Sequence, residues 1–223
     1  MSLFPQYTHI VNPKLKHIYL TFDNEGNLVI KSPKVSQRKI EQLLLKKSSW
    51  INKAREKIQC KKGKPLDFSK KLELYFMGEA YPVALALHSK KRVQLDFDGE
   101  AFTLFYHTYD ERLFQTHFDR FYKTEAQKHI PSHVAHWTEK MGLSPTNLRF
   151  RKTKRQWGSC SGKNVLSFNT MMMKLPPDVI QYIIIHELAH IKHKHHQKDF
   201  WQLVEQHLPD YKEQVAELKN YTT

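Results

Sequence analysis

Hydrophobic positions fall into two periods along this chain. His17-Ile18-Tyr19-Leu20-Thr21-Phe22 alternates as a half-buried strand does, and Asn27-Leu28-Val29-Ile30-Lys31 follows after Asp23-Asn24-Glu25-Gly26. The turn residues between them predict a hairpin, ended by Ser32-Pro33. From Ser36 to Gln59 the step changes to three and four: Ile40, Leu43, Leu44, Trp50, Ile51 and Ala54 share one helical face. Ser36 is placed to cap that helix, although Lys39 stands where a capping box needs Glu. Lys61-Lys62-Gly63-Lys64-Pro65 breaks it and is expected to be a solvated linker rather than a phosphate contact.

Strand patterns return between Leu72 and His107. Leu72–Phe76 and Tyr81–Leu87 flank Gly78-Glu79, and Val93–Phe97 and Ala101–Phe105 flank Asp98-Gly99. This region carries no catalytic constellation and is expected to be a β-rich accessory unit. Asp110 to Met141 reads as a long helix with Pro131 as a kink or split and Gly142 as its end. His117, His129, His133 and His136 on it are expected to be ordinary surface or core groups, not ligands. Then come a strand at Leu148–Lys152, a tight loop at Lys154–Cys160 and a strand at Val165–Asn169. Met171-Met172-Met173 reads as core and Pro176-Pro177 as a helix start. An apolar helical segment covers Val179 to Ile191. Phe200, Trp201, Val204 and Leu208 mark a further helix, and Tyr211, Val215 and Leu218 the last one. The fold class is α+β, with residues 1–108 as a β-rich N-terminal region with one helix and residues 109–223 as a second, mainly helical domain.

Composition changes this picture in one respect. The chain has 223 residues, 40% hydrophobic and 26% charged, which is ordinary globular usage. A formal net charge of +14 is not ordinary. It points to an anionic partner such as a nucleotide, a nucleic acid or an acidic protein, against the plainer alternative of a soluble Lys-rich surface. Cys60 and Cys160 make no disulfide framework, so a reducing cytoplasm is the expected location. Cys160, with no base near it in sequence, reads as a small buried residue rather than a nucleophile. Met1–Ile10 lacks a charged region followed by an apolar run, so no signal peptide is expected, and no apolar stretch is long enough to span a bilayer.

The chemistry gathers at His186-Glu187-Leu188-Ala189-His190. Residues four apart on a helix lie one turn apart on the same face, so both imidazoles can close on one metal ion. Glu187, about 100° round the helix, cannot easily join them as a ligand but can reach a water held by the metal. That is the arrangement of an H-E-x-x-H zinc hydrolase, with one zinc per chain. A third ligand is needed. His193 shares the face but would string three ligands along a line. His196 can join only if the helix stops and the chain folds back, with His195 at the turn, since His is enriched at positive φ. Glu205 on the next helix and, more weakly, Asp199 are rivals; the compact His set favours His196. Arg151, Lys152, Lys154 and Arg155 could gather a carboxylate or phosphate, or could simply be an exposed basic strand edge.

Arg155-Gln156-Trp157-Gly158-Ser159-Cys160-Ser161, the strand ending at Asn169, Pro176-Pro177, Tyr182, the His186–His190 motif, His196 and Phe200-Trp201 occur in an order that resembles the YgjP-like metallopeptidase-domain family. The resemblance implies a zincin-like C-terminal half, with His186, His190 and His196 as zinc ligands and Glu187 as the base. It also places the strand before the metal helix along the substrate cleft, where an extended peptide can pair with it. His195 departs from the family's usual Asn and leaves a competing ligand beside the third His. The implied activity is peptide-bond hydrolysis in the cytoplasm, with a peptide or protein substrate, Arg151 and Arg155 as substrate contacts, and no membrane. Two alternatives accompany it. One, carried by the same resemblance, is metal-dependent pyrophosphate hydrolysis of a nucleoside triphosphate, for which Arg151, Lys152 and Arg155 are suited. The other is a basic nucleic-acid-binding module with a structural zinc, against which an open fourth coordination position counts.

Overall fold

The structure, a computed structural model, describes residues 5–23, 26–64 and 66–223. Asn24 and Glu25 of the predicted turn, Pro65 of the basic run and the first four residues lie outside the described residues. The chain divides into two compact units, Met1–Lys61 and Lys62–Thr223.

The first unit contains β1 (Tyr7–Val11), β2 (Tyr19–Phe22), β3 (Leu28–Ser32) and α1 (Gln37–Gln59). β2 and β3 pair antiparallel, as their flanking turn predicts, with Leu20 opposite Ile30. Leu28 and Ile30 share one face of β3 and pack on Ile40, Leu44 and Ile51 of α1. β1 was not expected. It pairs parallel with β3, His9 opposite Ile30. Its pattern is inverted: Tyr7 and His9 are half-buried while Ile10 is exposed, and His9 Nε2 lies 2.9 Å from Ser32 Oγ. A strand that turns its polar residues inward gives no alternation to read. Ser36 stands at the N-cap of α1 but makes no side-chain cap bond.

The second unit begins with β4 (Glu73–Phe76), β5 (Glu79–Leu87), β6 (Gln94–Phe97) and β7 (Phe102–Tyr106), in the sheet order β4-β5-β7-β6. Both expected hairpin pairs are antiparallel. The β4–β5 tip uses positive φ at Met77 (50°) and Gly78 (91°), as the tightest hairpin turns require. β5 and β7 pair parallel, which no local turn signal encodes. Leu74, Phe102 and Leu104 enter the same core as the helix that follows, α2 (Glu111–Met141). That core is continuous across the 108/109 line drawn from the sequence.

α2 buries Phe114, Phe118, Tyr122, Ala126, Ile130, Val134 and Trp137, a stripe at steps of four and then three. Asp110 Oδ1 accepts from the backbone N–H of Arg112 and Leu113, capping its start. Pro131 neither ends nor splits it. One ladder bond is lost there, and buried Ile130 and Val134 on either side keep the helix docked.

β8 (Asn147–Arg151), β9 (Gly158–Cys160) and β10 (Val165–Asn169) form a second sheet in the order β8-β10-β9. The expected tight loop at 154–160 thus ends in a strand; β10 lies in the middle of the sheet, and β8 and β9 are its two edges. Three residues are too few to show a period. A 3-10 turn, Thr170–Lys174, buries Met171, Met172 and Met173 in the core as expected. It leads into α3 (Pro177–Lys192), α4 (Lys198–His207) and α5 (Tyr211–Leu218). The turn before α3 is pinned by the β4–β5 hairpin tip of the same unit: Met77 N–H donates to Met173 O at 2.8 Å and Gly78 N–H to Lys174 O at 3.3 Å. A Cβ on Gly78 would come within 2.9 Å of Pro176 Cα, so the turn residue is also a packing residue. Among the described residues no helix is long and apolar enough to cross a membrane.

Candidate metal centre

α3 packs against α2, α4, α5 and β9. Val179, Ile180, Tyr182, Ile183, Ile184, Ile185, Leu188 and Ala189 are all buried. This apolar body fixes the axial position and rotation of the polar groups at its C-terminal end. The helix stops at Lys192: His193 is extended, with φ −120° and ψ 103°. The chain then reverses and re-enters a helix at Lys198, which brings His196 back to His186 and His190. Ring nitrogens of the three lie within 4.8 Å of one another. His196 Nε2 is 3.0 Å from His186 Nε2, and Phe200 backs all three rings at centroid distances of 4.6 to 4.9 Å. Trp201 lies beside His196, 5.6 Å between centroids.

The rivals for the third position do not join the group. Glu205, Asp199 and His195 lie outside the cluster of possible ligand atoms, and Glu205 faces Lys212 instead, 3.7 Å from its Nζ. The reversal does not use a left-handed residue at His195: among the described non-glycine residues only Met77 and Asn164 have positive φ. The extended break at His193 and the N-cap at Gln197 make the turn instead. His193 contributes through its backbone, since His190 Nδ1 lies 3.0 Å from its carbonyl oxygen. A carbonyl only accepts, so Nδ1 carries the proton and Nε2 of His190 is left with its lone pair. Tyr182 Oη is 3.2 Å from His186 Nδ1 and helps to orient that ring.

Glu187 is only 5% exposed. Burial pushes its carboxyl up to about 8, and Oε2 has no hydrogen-bond partner among the described residues. It lies under β9: a Cβ on Gly158 would sit 2.6 Å from both Glu187 Cγ and Oε1. Burial, reinforced by the other two imidazoles, lowers His186 to about 3, and burial also lowers His190. Two imidazoles kept neutral by burial, a third folded against them and an unpartnered buried carboxyl on the neighbouring residue suit a cation; a nearby positive charge reverses the burial effect on the carboxyl. The donor set of three imidazoles is one that binds zinc.

The remaining predicted residues are elsewhere. Arg151 is exposed on β8, where its guanidinium donates to Ser167 Oγ at 3.1 Å. Arg155 is exposed in the loop before β9. Lys152 is held by Asp119 at 2.7 Å and is not free for a substrate. Cys160 is half-buried, with its thiol raised chiefly by burial. Gly158 and Tyr182 were not read as site residues from the sequence. Both occur in the motif series quoted above, but only the fold reveals what each touches.

A buried His-Glu-x-x-His helix with a third imidazole folded back onto it, beside a small mixed sheet, is an arrangement that suits metal-assisted hydrolysis. The family model of the YgjP-like metallopeptidase domain matches residues 16–221, and the chain belongs to that family. It is therefore a hydrolase, a metallopeptidase whose family implies a divalent metal and a peptide or protein substrate. Two solved structures are also similar. The metallopeptidase zymogen of Pyrococcus abyssi abylysin is 25% identical, covering 42% of this chain and 99% of its own, at a TM-score of 0.37. The metallopeptidase zymogen of Methanocaldococcus jannaschii jannalysin is 22% identical, covering 40% and 92%, also at 0.37. No curated protein matches the chain. None of these comparisons supports the nucleic-acid partner suggested by the net charge.

Proposed function

We propose that this chain is a zinc-dependent metallopeptidase in which His186, His190 and His196 hold the ion and Glu187 is the general base. The observation that carries the reading is the convergence of three imidazoles to within 4.8 Å beside a buried, unpartnered carboxyl. Zinc on three imidazoles leaves a fourth position for water, polarises a carbonyl and lowers the pKa of the water towards about 7. Each side chain then has a task that its surroundings support. His190 is fixed in one tautomer by the His193 carbonyl, and His186 is oriented by Tyr182. Phe200 and Trp201 wall the imidazoles with apolar surface, which restricts their rotamers.

The Glu187 carboxylate, left without a hydrogen-bond partner at Oε2, accepts the proton of the attacking water. The water oxygen bonds to the peptide carbonyl carbon, the C–N bond breaks, and the same carboxyl returns the proton to the leaving amine. The unpaired edge of β9 offers backbone donors and acceptors to an extended substrate. Arg151 and Arg155 remain the proposed contacts for substrate carboxylates. The test is metal analysis of protein purified without added metal, followed by peptide cleavage with and without a chelator. One zinc per chain, with activity lost on chelation and restored by zinc, is the expected result. A chain that refuses zinc on titration sinks the reading.

A further inference from the structure

The two faces of the β8-β10-β9 sheet differ in chemistry. Leu148, Phe150, Leu166 and Phe168 point to the core. On the opposite face the register places Arg149, Ser167 and Ser159 in one row, running from β8 across β10 to the edge strand. This face forms a groove of about 450 Å³, lined among others by Arg149, Arg151, Ser159, Lys163 and Ser167. Arg149, Arg151 and Lys163 are exposed, and no ion pair among the described residues engages them. Lys152, on the other side of the strand, is neutralised by Asp119. Arg151 bonds instead to the neutral hydroxyl of Ser167, which extends its guanidinium over β10 towards β9.

We infer that this groove is a subsite for acidic side chains of the peptide substrate, with Arg149 and Arg151 as the recognising groups; the inference rests on the metallopeptidase reading. A segment lying on the open edge of β9 turns alternate side chains to opposite faces of the sheet. One set faces the Gly158 side, where Glu187 lies. Their immediate neighbours face the Ser159 side, at the mouth of the groove. Selection for Asp or Glu thus falls on residues flanking the one presented to Glu187. Two guanidiniums two residues apart on one strand match a carboxylate in charge and in planar fork geometry.

The test uses the full chain carrying Glu187→Gln, which does not depend on turnover. Its binding to a fluorescein-labelled peptide of alternating Ala and Glu, and to the Ala and Gln twin, is followed by anisotropy. The Glu peptide is expected to bind tighter. Arg149→Glu with Arg151→Glu should weaken it by about tenfold or more, the size of one lost charge-assisted hydrogen bond, and erase the preference. Arg149→Gln with Arg151→Gln should do the same without introducing repulsion. Lys90→Glu with Lys91→Glu removes the same charge from an exposed loop of the same unit and should change affinity little. Equal loss in the Lys pair, or equal binding of the two peptides, overturns the subsite. So does inorganic triphosphate that binds through the two arginines more tightly than the Glu peptide. Cleavage of peptides by the wild type without preference for acidic flanks removes the subsite and keeps the peptidase. Arginine-dependent binding of the Glu peptide by a chain that cleaves nothing keeps the subsite and removes the peptidase.

Discussion

A methyl group at position 158 has nowhere to go except into Glu187, because the Cβ would stand 2.6 Å from its Cγ and Oε1. Gly158 is thus a positioning residue for the carboxyl, and the Trp-Gly-Ser-Cys turn acquires a physical reason for its glycine. Gly158→Ala is expected to lower kcat while zinc stoichiometry and KM stay near wild type. In a Glu187→Gln background it should cost almost nothing more, since the group it displaces is already disabled; full additivity in that double-mutant cycle would refute the coupling. Glu187→Gln alone should keep the metal and lose turnover by about a hundredfold or more, the usual worth of a general base. Wild-type activity in that variant would remove Glu187 from its assigned role. Tyr182→Phe deletes the hydroxyl 3.2 Å from His186 Nδ1 and should weaken zinc binding by about tenfold in a competition titration with a chromogenic chelator. Unchanged affinity would mean that packing alone orients His186.

At the scale of elements, the site depends on a break. If α3 ran on past Lys192, His196 would turn about 240° away from His190 and the triad would never close. The extended His193, the reversal and the new helix at Lys198 return it, with Phe200 wedged behind the rings. His196→Ala is therefore expected to weaken zinc binding by orders of magnitude, and exposed His195→Ala to change it little; similar losses in both would contradict the assignment. His186, Glu187 and His190 were legible because the helical period converts sequence spacing directly into a shared face. His196 was legible only as one of several candidates, because a turn is set by packing and not by period. β9 was illegible, being three residues long, and so was β1, which turns Tyr7 and His9 inward. The parallel pairing of β5 with β7 escaped for a further reason: its information lies in long-range register and not in any turn.

For the whole molecule, the α+β order of strands and helices could be read from the two periods. The extent of the second unit's core could not, because Leu74, Phe102 and Leu104 join Phe114 and Phe118 only in three dimensions. A formal charge of +14 pictures Lys as surface, yet Lys174 is 8% exposed inside this core. Its Nζ donates to Gly63 O at 2.7 Å and lies 5.5 Å from the Tyr122 ring centroid. Burial first, and the Lys152 ammonium second, lower its pKa from 10.5 to about 8, partly opposed by Asp119. The unfolded chain therefore binds the proton more tightly than the folded one. Between about pH 8 and 10.5 the unfolded state holds more protons, so this group makes the second unit more stable as pH rises. Below pH 8 both states are charged and the full penalty remains, on the order of 3 kcal/mol at 1.36 kcal/mol per pKa unit. Tyr122 works in the opposite direction above pH 10, because burial raises its pKa, so the wild-type curve alone would mix the two effects. Lys174→Met separates them. It removes the titration and forfeits a hydrogen bond to Gly63 at every pH. The stability of wild type minus that of Lys174→Met, from urea unfolding at pH 7, 8, 9 and 10, is expected to climb with pH above about 8. A flat difference would mean that Lys174 keeps an ordinary pKa in the folded chain.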